Sequence, residues 1–363
     1  MPLRCTRKTP FLLALALFAG LASAADGSMR VQLEPSAGNP PSAQRIGIRG
    51  TAPSGCVPAI DHTTIDGADI SIVLSVPATG CKPQRQIPFH LDADPAAVAG
   101  LRALPPQVFR IRVYADSGAG ASLAAFGLVD TSSSALAPIP ESGFWWSQPI
   151  PDSNAPVAGS GMSLEIQDNQ IAGSLLGFAD TGSATWYFGS ATMTARTARI
   201  PLVHLANGDS WFSAIGTRPD VESGPRIELE FLSPTRARAY LVRSEEGRDV
   251  EVRSLAFSRT VFATGPSGTA WTGRWVLVAG DGRGARVFDF SASTSRDAES
   301  FQLVDAAGNA NLDCRLAAGT THPDACTLSA LAGPLVDFDQ VGFDHLSGHD
   351  ANGAPIQMLR VPR

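Results

Sequence analysis

Two groups of side chains in this 363-residue chain are of types that can bind ligands or catalyse reactions. The first is C-terminal: Asp337, Asp339, Asp344, His345, His349 and Asp350 gather carboxylates and imidazoles in one short stretch. Oxygen ligands of this kind suit Ca²⁺, and the His pair suits Zn²⁺. The spacing argues against a cation. Counted as an EF-hand loop from Asp337, Val341 falls at the fifth position, and Gly348 falls at the twelfth, where a bidentate Glu is required. Ser347-Gly348 and Asn352-Gly353 favour loop over a helix that would align the two His. The stretch therefore reads as solvated strand ends and a turn, with no metal and no cofactor assigned. The second group is aromatic: Trp145, Trp146, Trp186, Tyr187, Trp211, Trp271 and Trp275, all after residue 140. Neighbours on a strand face opposite sides. One of Trp145 and Trp146 is then core and the other exposed, and the same holds for Trp186 and Tyr187. Trp146, Trp186, Tyr187 and Trp211 are the candidate ligand-binding residues, with core packing the alternative for each.

No catalytic residue is assigned. Gly-x-Ser-x-Gly, His-Glu-x-x-His, Ser-x-x-Lys and a Walker loop are missing from the sequence. Gly280-Asp281-Gly282-Arg283-Gly284 imitates a phosphate loop, but it joins two apolar runs instead of opening a helix, so it reads as a hairpin turn. Glu141, Glu165 and Asp180 lie near the aromatics and are the carboxylates a glycan hydrolase would draw on; nothing in their spacing selects a pair.

The elements that must position these groups are strands. Apolar residues recur with period two at Ile70, Ile72, Leu74 and Val76; at Phe109, Ile111 and Val113; at Met162, Leu164 and Ile166; and at Ile227, Leu229 and Phe231. Asp168-Asn169 and Asp281-Gly282 supply residues that tolerate the positive φ of tight hairpins. One helix start stands out, with Asp94 as N-cap and Pro95 at the first helical position, and Pro105-Pro106 stops it. With no βαβ alternation, the fold class is all-β.

Composition excludes disorder: 17% of residues are charged, and 35 Gly with 27 Pro fall well short of a low-complexity chain. Residues 1–24 read as a secretory signal peptide. Arg4, Arg7 and Lys8 precede the apolar run Phe11 to Leu21, and Ala22-Ser23-Ala24 precede cleavage at Ala25. The run is too short to span a bilayer, so no transmembrane segment is expected. Cleavage removes three of 28 positive charges against 34 negative ones, moving the balance from −6 to −9, which disfavours a nucleic-acid partner. An extracytoplasmic location, periplasmic or secreted, follows. Four mature cysteines then read as disulfides, local separation favouring Cys56 with Cys81 and Cys314 with Cys326.

A Ser- and Pro-rich boundary near residues 131–142 separates residues 26–133, the size of a β-sandwich, from residues 140–363. The first part resembles immunoglobulin-like modules of secreted bacterial proteins, through Ser54-Gly55-Cys56-Val57-Pro58, Asp69 to Val76, Cys81 and Phe109 to Tyr114. It departs from antibody-type domains in the close spacing of its cysteines and in having no core Trp between them. The second part carries Gly143-Phe144-Trp145-Trp146, Ser160-Gly161 and Gly182-Ser183-Ala184-Thr185-Trp186-Tyr187. It looks like a Trp-rich domain of exported proteins of Gram-negative bacteria, although Ser147-Gln148 stands where Asn is usual before Pro149. That resemblance implies export and a β fold and no catalysis.

Gly273-Arg274-Trp275 repeats the Gly-x-Trp that begins the first strand of small barrels of the lipocalin and avidin type, where the indole plugs one end. A subdivision near residue 265 follows, and a second barrel or an extension of the first sheet both fit the remainder. The expectation is an immunoglobulin-like sandwich followed by a larger antiparallel barrel-like domain. In function it reads as a non-enzymatic binding protein for a glycan or an apolar small molecule, with a glycan-directed hydrolase or a structural or adhesive spacer as alternatives.

Overall fold

A computed structural model describes residues 30–34, 45–52, 56–77, 86–116, 118, 120–132, 137–148, 159–209, 212, 216, 218–262, 268–279, 284–318, 320–331 and 335–361. The signal segment, Cys81, Trp211 and Gly280 to Arg283 lie outside these residues.

The N-terminal part is built from β1 (Arg30–Glu34), β2 (Ile46–Ala52), β3 (Ala59–Asp66), β4 (Asp69–Ser75), β5 (Ile87–Ala93), the short helix α1 (Pro95–Val98), β6 (Val108–Asp116) and β7 (Ala121–Asp130). Asp94 caps α1 as expected, its side chain accepting the Ala97 amide at 3.0 Å. The strands form two sheets, β1-β2-β5 and β3-β4-β6-β7, with β4 and β6 parallel. The alternating residues Ile70, Ile72 and Leu74, with Phe109, Ile111 and Val113, are buried with Ile46, Ile48 and Phe89 of the other sheet, so the two sheets share one core. The sequence reading of a sandwich here is what the chain forms.

Beyond residue 140 the chain closes twice. β8 (Gly143–Gln148), β9 (Gly161–Gln167), β10 (Gln170–Phe178), β11 (Ala184–Thr194), β12 (Thr197–Ala206), β13 (Asp220–Ser233), β14 (Arg236–Glu245) and β15 (Arg248–Arg259) make one antiparallel barrel, with β15 returning to β8. β16 (Gly273–Ala279), β17 (Ala285–Ser295), β18 (Ser300–Asp305), β19 (Ala310–Leu316), β20 (Pro323–Ala330), β21 (Val336–Val341), β22 (His345–Asp350) and β23 (Pro355–Arg360) make a second, with β23 returning to β16. Of the two arrangements left open for the C-terminal stretch, the chain adopts the separate barrel. The Asp168-Asn169 hairpin forms as read, Asp168 taking φ 54° between paired Gln167 and Gln170.

Each barrel opens with Gly-x-Trp. Gly143 and Gly273 hold φ of 139° and 134°, a region that disfavours a side chain, and Trp145 and Trp275 are fully buried. In the strand pair that closes each barrel, each Trp is the register partner of an Arg, Arg259 for Trp145 and Arg360 for Trp275. Each guanidinium then bonds the carbonyl just before the glycine: Arg259 Nε to Ser142 O at 2.9 Å, and Arg360 Nη2 to Thr272 O at 2.6 Å. Eight strands leave an interior just wide enough for side chains to fill. Trp145, Met162, Leu164, Ile171, Ile200, Leu229, Phe231 and Phe257 fill the first, and Trp271, Trp275, Phe288, Phe290, Phe301, Phe338 and Met358 fill the second.

The sandwich docks on one side of the first barrel. Edge strand β7 presents the Phe126 backbone to it; Asp249 accepts the Phe126 amide at 2.7 Å, and Arg226 donates to the Phe126 carbonyl at 2.9 Å. Arg226 also pairs with Asp249 and with Glu228, which Arg199 reaches from β12. These side chains satisfy backbone groups that an edge strand otherwise leaves unpaired. The two barrels meet through Glu141, whose Oε1 accepts the Asp344 amide at 3.0 Å, and through His322, whose Nε2 lies 2.6 Å from the Arg259 carbonyl.

Cys314 and Cys326 are register partners on β19 and β20 and form the expected disulfide. Cys56 is disulfide-bonded, and its expected partner Cys81 lies outside the described residues. No helix among the described residues is long and apolar enough to cross a membrane.

Candidate functional site

Trp145 settles the sidedness of β8. Because its indole is inside, Phe144 and Trp146 are outside, and Trp146 is 40% exposed. Antiparallel register then carries the same row across the barrel wall: Trp146 pairs with Gly161, Gly161 with Leu176, and Leu176 with Trp186. The next row reads Phe144, Ser163, Ser174 and Phe188. At about 4.8 Å per strand, the two Trp stand roughly 14 Å apart.

The rings pack within this face. Phe144 and Trp146 have centroids 5.9 Å apart, and Trp186 stacks on Phe188 at 5.9 Å. Gly161 makes the arrangement possible, since a Cβ there would lie 2.6 Å from the Phe144 ring and 3.1 Å from the Trp146 ring. Leu176, Trp186 and Phe188 keep 41%, 43% and 37% of their surface, and Phe178 extends the patch at the end of β10. Serine hydroxyls of Ser163 and Ser174 interrupt the apolar surface, and Glu165 is the ionisable residue on the outward positions of these four strands. Exposed apolar side chains gathered on one face are the kind of surface that interaction sites use. The sandwich contacts the barrel along β12 to β15, and β8 to β11 make up the other half of the strand order. The face is therefore clear of the sandwich.

Of the four aromatic candidates read from the sequence, Trp146 and Trp186 come together on this face. Tyr187 points into the barrel, its ring 5.6 Å from that of His204 and close against the Gly224 backbone. Trp211 lies outside the described residues. The candidates read from the sequence do not include Phe144, Leu176, Phe178 and Phe188; alternation from a buried Trp145 and an inward Tyr187 places Phe144 and Phe188 outward, and alternation from a buried Leu175 does the same for Leu176 and Phe178.

The C-terminal acidic and imidazole stretch lies on the β21–β22 hairpin. Ser347-Gly348, read as loop, is strand, which corrects that expectation. Gly348 fits because the β21 backbone at Asp337 and Phe338 approaches it too closely for any Cβ. Asp337 sits opposite His349 and accepts the Thr327 hydroxyl at 2.8 Å, whereas Asp344 and His345 are at the other end of the hairpin. Asp350 closes the following turn by accepting the Asn352 and Ala354 amides, which hold its carboxyl below the usual range. Among the described residues, no group of three or more His, Cys, Asp or Glu is placed to hold a metal ion.

The three carboxylates considered for hydrolysis have different surroundings. Glu141 is buried at the barrel junction, and that burial raises its pKa against the pull of the Asp344 amide and Arg259. Glu165 is exposed on β9, and Asp180 is exposed in the turn after β10.

In class, the molecule is an all-β protein whose described residues form a two-sheet sandwich and two closed eight-stranded barrels, with an exposed aromatic face on the first barrel. No protein-family model and no curated protein matches the chain.

Proposed function

We propose that the chain is an exported, non-enzymatic binding protein that takes carbohydrate on the aromatic face of its first barrel. The observation that carries this reading is the row Trp146, Leu176 and Trp186, exposed on the side away from the sandwich. A sugar ring presents an apolar C–H face to an indole and hydroxyls to neighbours such as Ser163 and Ser174. Filled barrel interiors favour this open surface over an enclosed apolar ligand. The Cys314–Cys326 bond supports export, because such bonds persist in oxidising compartments.

The test is retention of the mature protein on a panel of insoluble polysaccharides, followed by tryptophan fluorescence titration with soluble fragments. Retention on at least one polysaccharide is expected, with a loss of tenfold or more in the W146S/W186S double variant. Equal binding by that variant would remove the face from the function. No retention of the wild-type protein would favour the spacer reading, which the filled interiors also support.

A further inference from the structure

A second polar site lies where the sandwich meets the first barrel. The outer face of the four-stranded sheet and strands β14 and β15 border an open cleft of about 270 Å³, lined by Asp69, Arg110, Arg112, Arg238, Tyr240 and Ser254. Three guanidiniums face it. Asp69 accepts from both Arg110 and Arg112, and these two cations hold its carboxyl at about 2, well below the usual range. Arg238 reaches Glu230 at 3.3 Å. Counting three Arg against Asp69 and Glu230 leaves one positive charge uncompensated. The side chains of Arg110, Arg112 and Arg238 are 21%, 28% and 40% exposed, so the excess positive charge stands where an anion from solution can reach it.

Donors remain as well as charge. A guanidinium carries five N–H groups, and the bonds to Asp69 and Glu230 use only a minority of the fifteen present. Tyr240 is 1% exposed, and its hydroxyl makes no hydrogen bond of normal geometry among the described residues, though Arg238 and Arg110 lie near enough to oppose the burial that raises its pKa. Its cross-strand partner Ser254 places a second hydroxyl on the same side. An oxyanion supplies what these groups lack, accepting in-plane donation from Arg and single bonds from Tyr and Ser.

We propose that Arg110, Arg112, Arg238, Tyr240 and Ser254 form a binding site for the sulfate, phosphate or carboxylate group of a small acidic ligand. The volume falls just below that of ordinary small-molecule pockets, which fits one acid-bearing group and not a chain. The site is separate from the aromatic face and does not depend on it.

Titration calorimetry of the full mature protein at constant ionic strength tests this, with sodium sulfate, sodium phosphate and sodium acetate as separate arms and chloride as the reference. Saturable one-to-one binding is expected in at least one arm, weakened tenfold or more by R238Q and several-fold by Y240F and S254A. Circular dichroism melting confirms that each variant is folded. If R238Q fails that control, Y240F and S254A decide. The proposal is overturned if no arm saturates, or if the folded variants bind like the wild type.

Discussion

The two barrels share strand number, direction and the Gly-x-Trp to Arg closure, yet they place their aromatic residues oppositely. In the first, Trp145, Phe231 and Phe257 are buried among aliphatic and alanine side chains, while Phe144, Trp146, Phe178, Trp186 and Phe188 face outward. In the second, Trp271, Trp275, Phe288, Phe290, Phe301, Phe338 and Phe343 are all buried, and its exposed large apolar residues are the aliphatic Val278, Val287, Leu331, Leu335 and Leu359. A barrel interior can be filled either way, so outward aromatics are not needed for closure. Among the described residues, the outward aromatics of the first barrel have no counterpart on the second.

The shared closure is tested most severely by truncating its indole. Trp145→Ala and Trp275→Ala each empty a fully buried site, and a loss of about 3–5 kcal/mol is expected for both in denaturant unfolding. A small effect at either one would mean that the barrels are not held by the same device.

Acid should separate the barrels next. His322, in the second barrel, is buried and its pKa is lowered to about 4, so the folded state holds it neutral with Nε2–H donating to Arg259 O. An unfolded His takes up a proton near 6.5, so between about 6.5 and 4 the unfolded state binds more protons and stability falls as pH falls. The loss reaches at most about 3 kcal/mol. Melting followed across this window should show the slope in the wild type and a reduced slope in His322→Gln.

A finer difference lies in the indole nitrogens. Trp275 Nε1 donates to Trp271 O at 2.9 Å, whereas Trp145 Nε1 is buried with no partner among the described residues. Trp275→Phe should therefore cost about 1 kcal/mol more than Trp145→Phe, since only the former leaves a carbonyl unpaired. The smallest effect is expected one residue away from the core: Trp146→Ser should shift stability by about 0.5 kcal/mol or less, while the adjacent Trp145 tolerates no such change. A large destabilisation there would make the aromatic face part of the packing instead of a binding surface.

Much of this is legible in the residue order. The alternation at Ile70 to Leu74, Phe109 to Val113 and Ile227 to Phe231 marks the residues that are buried, and Asp168-Asn169 and Asp94-Pro95 mark the turn and helix start that form. The 337–350 stretch was harder, because Ser347-Gly348 carries a loop composition. It is strand only because a neighbouring backbone fills the space a side chain would take. Tyr187 was a candidate ligand residue because adjacency to Trp186 says that the two differ in side, not which of them faces out.

What the residue order determined by itself is local: which positions alternate, where the chain turns, and that Trp145 and Trp146 face opposite ways. Only the tertiary structure decided that strands 8 to 15 and 16 to 23 close separately, that β8 and β11 set Trp146 and Trp186 in one row, and that three Arg from two units converge on one cleft. The reason is physical. Period two specifies the side of a strand, whereas the neighbour and its register come from long-range pairing, in which a shift of one residue turns every side chain to the other face.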